Sequence, residues 1–259
     1  MTMSKREMYE RALEELKAET LTDTVLFKLT DNKPSIFESK VGGTPYIPRD
    51  EVLPQDSFGH RLRFLAQIDC ESLKALPDFP HSGLLQFFIS DSDILGLCEE
   101  NGFKVFYYEN VDRTVTEEEC KAKMSDESEE VYMPVEGEFG IEFTAKKMSM
   151  TPEDFRYNEF ARIKLQGDID QDLFDEIFYD EDDGYCQHRL GGYPYFTQYD
   201  PRESGNEDKT VLLFQLDSDY NGGEERVMWG DSGIGNFFIS PEDLKKRDFT
   251  NVLYNWDCC

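Results

Sequence analysis

The chain has 259 residues and carries 27 Lys and Arg against 55 Asp and Glu, for a formal net charge of −28. Phosphate backbones and anionic membranes repel such a surface, and no basic run interrupts it, so composition argues against nucleic-acid and membrane binding. Apolar residues make up 39% of the chain and aromatic residues 14%, which is enough for a packed core and excludes a disordered chain. We expect a single compact domain over residues 1–259.

The N-terminus and the cysteines indicate a reducing, intracellular setting. Met1–Arg6 leads into a charged helix and not into an apolar signal segment, and no apolar run approaches the ~20 residues of a membrane span. The six cysteines show no CxxC spacing. Lipidation of Cys258 and Cys259 is an alternative, but no P-loop or polybasic stretch accompanies them, which favours free thiols. We therefore expect a soluble, cytoplasmic protein.

The first predicted element is an amphipathic helix over residues 4–19, SKREMYERALEELKAE. Its apolar residues Met8, Ala12, Leu13 and Leu16 recur at helical spacing and form one stripe. Later apolar segments predict two strands and two short helices, at Phe103–Tyr108, Ile141–Phe143, residues 152–160 and residues 170–178.

Three sequence blocks occur twice in the same order. The matching pairs are KVGGTPY (40–46) with RLGGYPY (189–195), FLAQID (64–69) with LLFQLD (212–217), and GLLQFFIS (83–90) with GIGNFFIS (233–240). Their displacements are 149, 148 and 150 residues. Such nearly constant spacing indicates an internal repeat.

Each block predicts a local structure. The Gly-Gly-x-Pro block predicts a sharp turn, because glycine tolerates positive φ and proline fixes the exit direction. The other two blocks predict buried strands, in which Gln67 and Gln215 should be hydrogen-bonded. We predict an α+β, β-rich fold of two similar repeats, about residues 35–95 and 184–245, with an added N-terminal helix. Their antiparallel or mixed sheets would be related by a pseudo-two-fold axis.

Between the repeats, residues 112–183 form an acidic connecting region with 23 acidic and 8 basic residues. Glu117–Glu119 and Asp126–Glu130 are typical of solvated helix or loop. Asp180–Gly184 is typical of an exposed turn that leads into the second repeat.

The sequence contains no complete set of metal-ligating residues at the spacing that known metal sites use. His60, His81 and His188 lack i, i+4 spacing and paired cysteines, which argues against zinc. Asp217–Gly222 matches the opening of a calcium loop, but Met228 occupies the position of the bidentate Glu. Asn221-Gly222 is equally typical of a hairpin turn. The sequence predicts no cofactor and no metal, and leaves calcium at this loop open.

Catalytic motifs of the common kinds are missing from the sequence. It contains no G-x-S-x-G, G-x-G-x-x-G or P-loop, so we predict no catalytic residues. In MWGDSG (228–233), Trp229 and Asp231 are candidate ligand-binding residues, since a ring can stack on a ligand while a carboxylate orients it. The alternative is a tight turn with a packed tryptophan.

The repeated blocks carry a family resemblance. The strings SKVGGTPYIP, FLAQI, GLLQFF, HRLGGYP, MWGDSG and YNWDC, spread from residue 39 to residue 258, resemble the bacterial YwqG-like family. The resemblance implies a cytoplasmic bacterial protein with a duplicated α+β fold, and implies no enzyme activity. Some members of that family look like immunity components encoded near secreted toxins.

These observations lead to competing hypotheses of function. The first is a protein-interaction role such as toxin immunity, in which the acidic chain neutralises a basic toxin through fast, salt-sensitive association. The alternative is a small-molecule-binding protein or enzyme with a cleft between the two repeats, lined by Trp229 and Asp231. A scaffold that binds copies of itself is the third.

Overall fold

The computed structural model of the protein describes residues 3–124, 132–165, 169–179, 187–203 and 205–259. Within these residues the fold contains a ten-stranded sheet, a two-stranded sheet and five α-helices. All strand pairs are antiparallel. The predicted β-rich α+β class and the N-terminal helix are confirmed. Asp126–Glu130, Asp180–Gly184 and Cys186 lie outside the described residues.

The helices are α1 (Lys5–Glu19), α2 (Glu117–Met124), α3 (Tyr157–Lys164), α4 (Gln171–Phe178) and α5 (Pro241–Lys246). The strands are β1 (Thr22–Thr30), β2 (Lys40–Gly42), β3 (Arg63–Asp69), β4 (Leu84–Ile89), β5 (Phe103–Tyr108), β6 (Glu138–Met148), β7 (Arg189–Gly191), β8 (Val211–Asp217), β9 (Asp219–Asn221), β10 (Glu224–Val227), β11 (Ile234–Ile239) and β12 (Leu253–Asp257).

Helix α1 begins at a capping box, in which the Ser4 hydroxyl accepts from the Glu7 amide and the Glu7 carboxylate accepts from the Ser4 amide. Its buried residues Tyr9, Ala12 and Leu16 pack with α3 and α4 in one apolar cluster. The predicted helix and its stripe are confirmed.

The strand order of the large sheet is β12-β11-β8-β7-β1-β6-β2-β3-β4-β5. The first copies of the repeated blocks form β2, β3 and β4 on one side of the central pair β1·β6, and the second copies form β7, β8 and β11 on the other. Strands β1 and β6 pair from Thr22↔Met148 to Thr30↔Gly140. The acidic connecting region thus supplies β6, a strand at the centre of the sheet.

The two repeats share local backbone features. Gly42 and Gly43 have positive φ, as do Gly191 and Gly192, so the predicted sharp turns are confirmed. A Cβ on Gly42 would lie 2.2 Å from the Gly137 carbonyl oxygen, so any larger residue would clash there. The pairing of β3 with β4 skips Leu65, and that of β8 with β11 skips Leu213. Each repeat therefore carries a β-bulge at the same place.

The glutamines of β3 and β8 are buried and hydrogen-bonded, as predicted. The Gln67 amide donates to the Ile36 and Glu38 carbonyls and its oxygen accepts from Tyr46 N. The Gln215 amide donates to the Gln187 carbonyl and its oxygen accepts from Tyr195 N. In each repeat the glutamine thus fixes the loop beyond the Gly-Gly turn.

The main core lies where the two halves of the sheet fold over each other. Phe87 of β4 stacks on Phe214 of β8 with ring centroids 4.5 Å apart. At the two edges of the sheet, Phe103 of β5 and Tyr254 of β12 approach to 5.2 Å. Side-chain packing between the edge strands makes the sheet nearly closed.

The helix predicted over residues 152–160 lies further along the chain: α3 begins at Tyr157 and ends at Lys164. The preceding turns are held by Asp154, whose buried carboxylate forms ion pairs with Arg156 and Arg202. That network binds the segment to the loop before β8. The second predicted helix is confirmed as α4, with Phe174 and Ile177 buried.

Candidate functional site

A cavity of about 420 Å³ lies beside β1 on the side of repeat two, and we call it the repeat-two cavity. It lies next to the pairing of the short strand β7 with Thr24–Leu26 of β1. Phe27 N donates to the His188 carbonyl one residue beyond that pairing. Its lining residues are Leu26, Phe27, Lys28, Thr144, Lys146, Gln187, His188, Asp217, Ser218 and Asp219.

His188 is the most constrained polar side chain of this cavity. Its ring is buried and stacks on Phe27 at 5.0 Å, and Phe27 in turn stacks on Phe214 at 5.6 Å. His188 Nδ1 accepts a hydrogen bond from the Asp217 backbone amide at 3.0 Å. A neutral imidazole that accepts at Nδ1 carries its proton on Nε2. His188 therefore presents an N–H donor.

Asp219 lies across from that donor. Its Oδ1 is 3.6 Å from His188 Nε2, which is longer than a hydrogen bond. Its Oδ2 is buried and accepts no hydrogen bond from the described residues, with Arg226 Nη1 at 4.0 Å. Arg226 itself donates to the Leu29 carbonyl and to Asp31. Asp219, a lining residue of the cavity, thus carries a buried acceptor near the imidazole donor.

Asp217 and Ser218 connect the cavity to the surrounding structure. Burial raises the pKa of Asp217 to about 6, against a smaller opposite effect of His188. The Ser218 hydroxyl donates to the Gly233 carbonyl and accepts from Trp229 N. The hairpin that carries Asp219 is therefore tied to the turn that follows it.

The Asp217–Gly222 segment forms a β-hairpin. Strand β9 runs from Asp219 to Asn221, the chain turns at Gly222 and Gly223, and β10 returns with Glu224 opposite Asn221. The hairpin interpretation of Asn221-Gly222 is confirmed. Across the described residues, no group of three or more His, Cys, Asp or Glu side chains is arranged to hold a metal ion.

The two predicted ligand-binding candidates lie in different environments. Trp229 is fully buried in the main core, and its ring packs so closely on Gly235 that a Cβ there would lie 2.4 Å from it. Asp231 is exposed, and its carbonyl accepts from Cys259 N. Neither lines the repeat-two cavity. The Trp229 backbone amide donates to the hydroxyl of Ser218, which lines the cavity.

A second cavity of about 330 Å³ lies beside β6, and we call it the repeat-one cavity. Ser39 and Asp69 line it, and Ser39 Oγ accepts from Asp69 N at 2.8 Å. This bond corresponds to the one between His188 and Asp217, since both pairs occupy the same places in the repeated blocks. The two cavities are therefore built on the same backbone feature and differ in side chains.

A third cavity of about 360 Å³ adjoins the repeat-two cavity, with which it shares Leu26, Lys146 and Gln187. Its basic lining residues are Lys17, Lys146, Lys147 and Arg189, and we call it the lysine cavity. The sequence predicts no basic patch, because these residues are far apart along the chain. The fold brings them together from α1, β6 and β7.

Residues 39–258 match the family described as a domain of unknown function (DUF1963). The chain belongs to this family. The match covers both repeats and so agrees with the expectation of an uncharacterised family, while the description assigns no activity. A comparison with curated proteins finds no match. In the part of the chain that the structure describes, no helix is both long and apolar enough to cross a membrane.

Sequence reasoning missed His188 and Asp219 as site residues of this DUF1963 chain. The sequence presents His188 only as a possible metal ligand, and Asp219 only as part of a calcium-like loop or a hairpin. The available signal was the repeat itself, since His188 stands where repeat one has Ser39. Positions at which two copies of a repeat differ in chemistry are where a site would be sought.

Proposed function

We propose that the protein binds a small polar molecule in the repeat-two cavity, with His188 and Asp219 as the groups that orient it. One observation carries the proposal. His188 and Asp219 line the same cavity of about 420 Å³, and within the described residues neither His188 Nε2 nor the buried Asp219 Oδ2 makes a hydrogen bond. A donor and an acceptor side by side suit a ligand with the complementary pair, such as an amide or a heterocycle edge.

The rigidity of the site supports this proposal. The imidazole plane is fixed by ring stacking on Phe27, and its tautomer by the Asp217 amide. Asp219 sits on a hairpin that Arg226 ties to the end of β1. Groups held in place before binding lose little conformational entropy when the ligand arrives.

The position of the cavity also supports it. We infer that the repeats are related by a pseudo-two-fold axis through the Lys28–Glu142 pair. Lys40 of β2 pairs with Gly140, and its counterpart Arg189 of β7 pairs with Leu26. Extending this correspondence along both central strands makes Lys28 equivalent to Glu142, and these two residues are direct partners. The repeat-one and repeat-two cavities would then flank the axis, in the cleft between the repeats.

A thermal-shift screen against metabolites tests the proposal. A ligand present at about 100 times its Kd should stabilise the folded chain by roughly 2.7 kcal/mol. The matched variants are His188→Ser, which keeps a hydroxyl acceptor for the Asp217 amide as Ser39 does for Asp69, and Asp219→Asn. Both should abolish the shift produced by any hit.

Ser39→Ala is the control for these variants. It removes the corresponding backbone hydrogen bond in the repeat-one cavity and should leave the ligand shift intact. If hits shift His188→Ser as much as the unmodified chain, the ligand does not sit beside His188 and the proposal is wrong.

A protein-interaction role, such as neutralising a basic toxin, is a second proposal. The net charge of −28 supports it, since an acidic surface speeds association with a basic partner. Capture from a host lysate at low and high salt tests it. The expected result is a basic protein that is retained at low salt and released at high salt, and recovery of no basic protein would contradict it.

A further inference from the structure

We propose that the turn around Phe58 docks into an apolar pocket of a partner protein, and that basic residues border this pocket. The turn consists of residues 55–61, and we call it the Phe58 turn. This inference rests on the second proposal above in one respect, because both take the partner to be basic. It adds the surface of this chain that makes the contact.

Phe58 is the most exposed large apolar side chain among the described residues, at 84%, and Val52 follows at 81%. Both lie on the segment between Arg49 and Leu62. Tyr199 is next at 72%, but its hydroxyl can bind water, which a phenyl or isopropyl group cannot. Singly exposed apolar residues are common on protein surfaces, so the way in which the turn holds the ring decides its role.

Asp56 holds the tip of the Phe58 turn in one conformation. Its carboxylate is only 8% exposed and accepts from the backbone amides of Phe58 and His60, each at 2.8 Å. The second carboxylate oxygen lies 3.1 Å from His60 Nδ1, and a β-bridge between Gln55 and Arg61 closes the turn. The Phe58 and His60 rings therefore stand side by side, with their centroids 6.3 Å apart.

Ser57 fastens the same tip to the rest of the fold. Its hydroxyl donates to the Glu100 carbonyl at 2.9 Å and accepts from the Asn101 side-chain amide at 2.8 Å. None of these bonds involves the phenyl ring, so a polar residue at position 58 could form the same turn. The turn thus presents an apolar ring that is already fixed, and docking such a group loses little conformational entropy. Aromatic side chains are enriched in the buried centres of protein interfaces.

Exposed carboxylates border the Phe58 turn. Glu100 adjoins it through the bond from Ser57, and Asp50 lies two residues before Val52. Both carboxylates are exposed, and within the described residues neither forms an ion pair. Lysine or arginine side chains around a partner's pocket would therefore pair with them as the ring is buried.

The cations near the turn are used inside the chain. Arg49 and Arg63 form ion pairs with its carboxylates. Arg61 and Lys123 donate to backbone carbonyls, and Lys104 donates to an amide side chain. A second copy of the chain would bring a like net charge of −28 to this surface, so the charges favour a different, basic protein.

Photo-cross-linking from position 58 tests the inference. The full 259-residue chain, with p-benzoylphenylalanine in place of Phe58, is irradiated in host lysate at low salt. We expect one cross-linked product that contains a basic protein, joined to position 58 at an apolar pocket with Lys or Arg at its border. The control carries the same photoreactive residue in place of Phe160, which is 38% exposed on α3, and should not give this product.

Variants then measure the contact with the partner identified in this way. Phe58→Ser keeps a polar turn and removes the ring, so the affinity should fall roughly thirtyfold or more, as for an aromatic hot spot. Its urea midpoint should stay unchanged, because the ring is exposed. Phe160→Ser should leave the affinity unchanged. The double variant Asp50→Asn, Glu100→Gln should weaken binding at low salt only, since salt screens exposed charges.

A cross-link to a second copy of the chain, to an acidic protein or to nothing beyond the Phe160 control would overturn the inference. A lowered urea midpoint in Phe58→Ser would overturn it too, because the ring would then serve the fold. Phosphatidylcholine vesicles that retain the unmodified chain but not Phe58→Ser would place the ring in a membrane, with the same consequence.

The docking surface and the protein-interaction role fail in different ways. If Phe58→Ser retains a basic protein as tightly as the unmodified chain does, the docking surface is wrong and the interaction role stands. If neither chain retains a basic protein at low salt, both are wrong.

Discussion

The repeat-one and repeat-two cavities lie beside matching strands, yet their polar groups are used differently. In repeat one, Ser39 makes the backbone bond, and Lys40 and Glu138 satisfy each other inside the fold. In repeat two, the backbone bond is made by one nitrogen of His188, which leaves the other nitrogen directed at Asp219. The polar groups of repeat one therefore bind each other, whereas in repeat two Asp219 Oδ2 makes no hydrogen bond within the described residues.

The hairpin β9–β10 accounts for part of this difference. After β3, repeat one continues into a short 3-10 turn over Cys70–Leu73. After β8, the corresponding segment of repeat two forms the hairpin that supplies Asp219 and Arg226. The two connecting segments differ in structure, and only the one in repeat two places an acceptor and a cation beside the sheet.

The largest predicted effect is the loss of stability in Gln67→Leu. Comparison with Gln215→Leu tests whether the two buried glutamines stabilise the fold equally. Gln67→Leu removes bonds to two carbonyls, to Tyr46 N and to Gln86 Nε2, whereas Gln215→Leu removes two bonds within the described residues, of 2.7 and 2.9 Å. Because each buried group left unpaired costs about 1–3 kcal/mol, we expect losses of about 4 and about 2 kcal/mol respectively. Urea unfolding of both variants measures the difference. Equal losses would contradict the asymmetry.

Glu138→Thr gives repeat one the neutral residue of repeat two. The buried ammonium of Lys40 would keep two backbone acceptors and lose its only carboxylate partner in the described residues. Breaking a buried ion pair in this way should cost about 3 kcal/mol in unfolding free energy. The matched control Glu142→Thr, at an exposed position of the same strand, should cost less than about 1 kcal/mol. Similar losses for both would show that the ion pair contributes little.

Asp217→Asn tests the electrostatics of the repeat-two cavity. Burial raises the pKa of Asp217 from 3.8 to about 6, so folding favours the protonated carboxyl. That contribution is fully present below pH 3.8 and is lost as the pH rises through 6, which amounts to about 3 kcal/mol. The variant should therefore gain stability relative to the unmodified chain between pH 4 and pH 7. Unfolding curves at four pH values measure it, and a constant difference would refute the raised pKa.

The smallest predicted effect is that of His188→Ser on stability. Serine keeps an acceptor for the Asp217 amide and loses the ring that stacks on Phe27, so we expect a loss of about 1 kcal/mol. His188→Ala leaves that amide unpaired and should cost about 1 kcal/mol more. If the two variants unfold alike, the hydroxyl does not replace the imidazole, and the correspondence with Ser39 fails for this bond.

Much of the fold could be predicted because local patterns determine it. Residues 4–19 carry a helix cap and an apolar stripe, and the Gly-Gly-x-Pro turns and the buried glutamines follow from backbone chemistry. Strand β6 is predicted only at Ile141–Phe143, within the acidic connecting region, because the charge of its neighbours obscures the rest of its alternating pattern. Its role depends on pairing with β1, more than 100 residues away in sequence.

The candidate site could not be predicted for the same reason. His188 directly precedes β7, and Asp219 lies on the β9–β10 hairpin. Lys17 lies on α1 and Lys146 on β6. Only the fold brings them together. Trp229 and Asp231 are candidates in the sequence because they are close neighbours. In the structure Trp229 is buried in the core and Asp231 is exposed.

The most direct test of the proposed site is a long-range ¹H–¹⁵N NMR spectrum of the chain labelled at its three histidines, recorded with and without metabolite mixtures. We predict that His188 is the neutral Nε2–H tautomer and that its nitrogen signals move when a ligand binds, while those of His60 and His81 stay in place. An Nδ1-protonated His188, or His188 signals that no ligand moves although binding is detected by other means, would contradict the account.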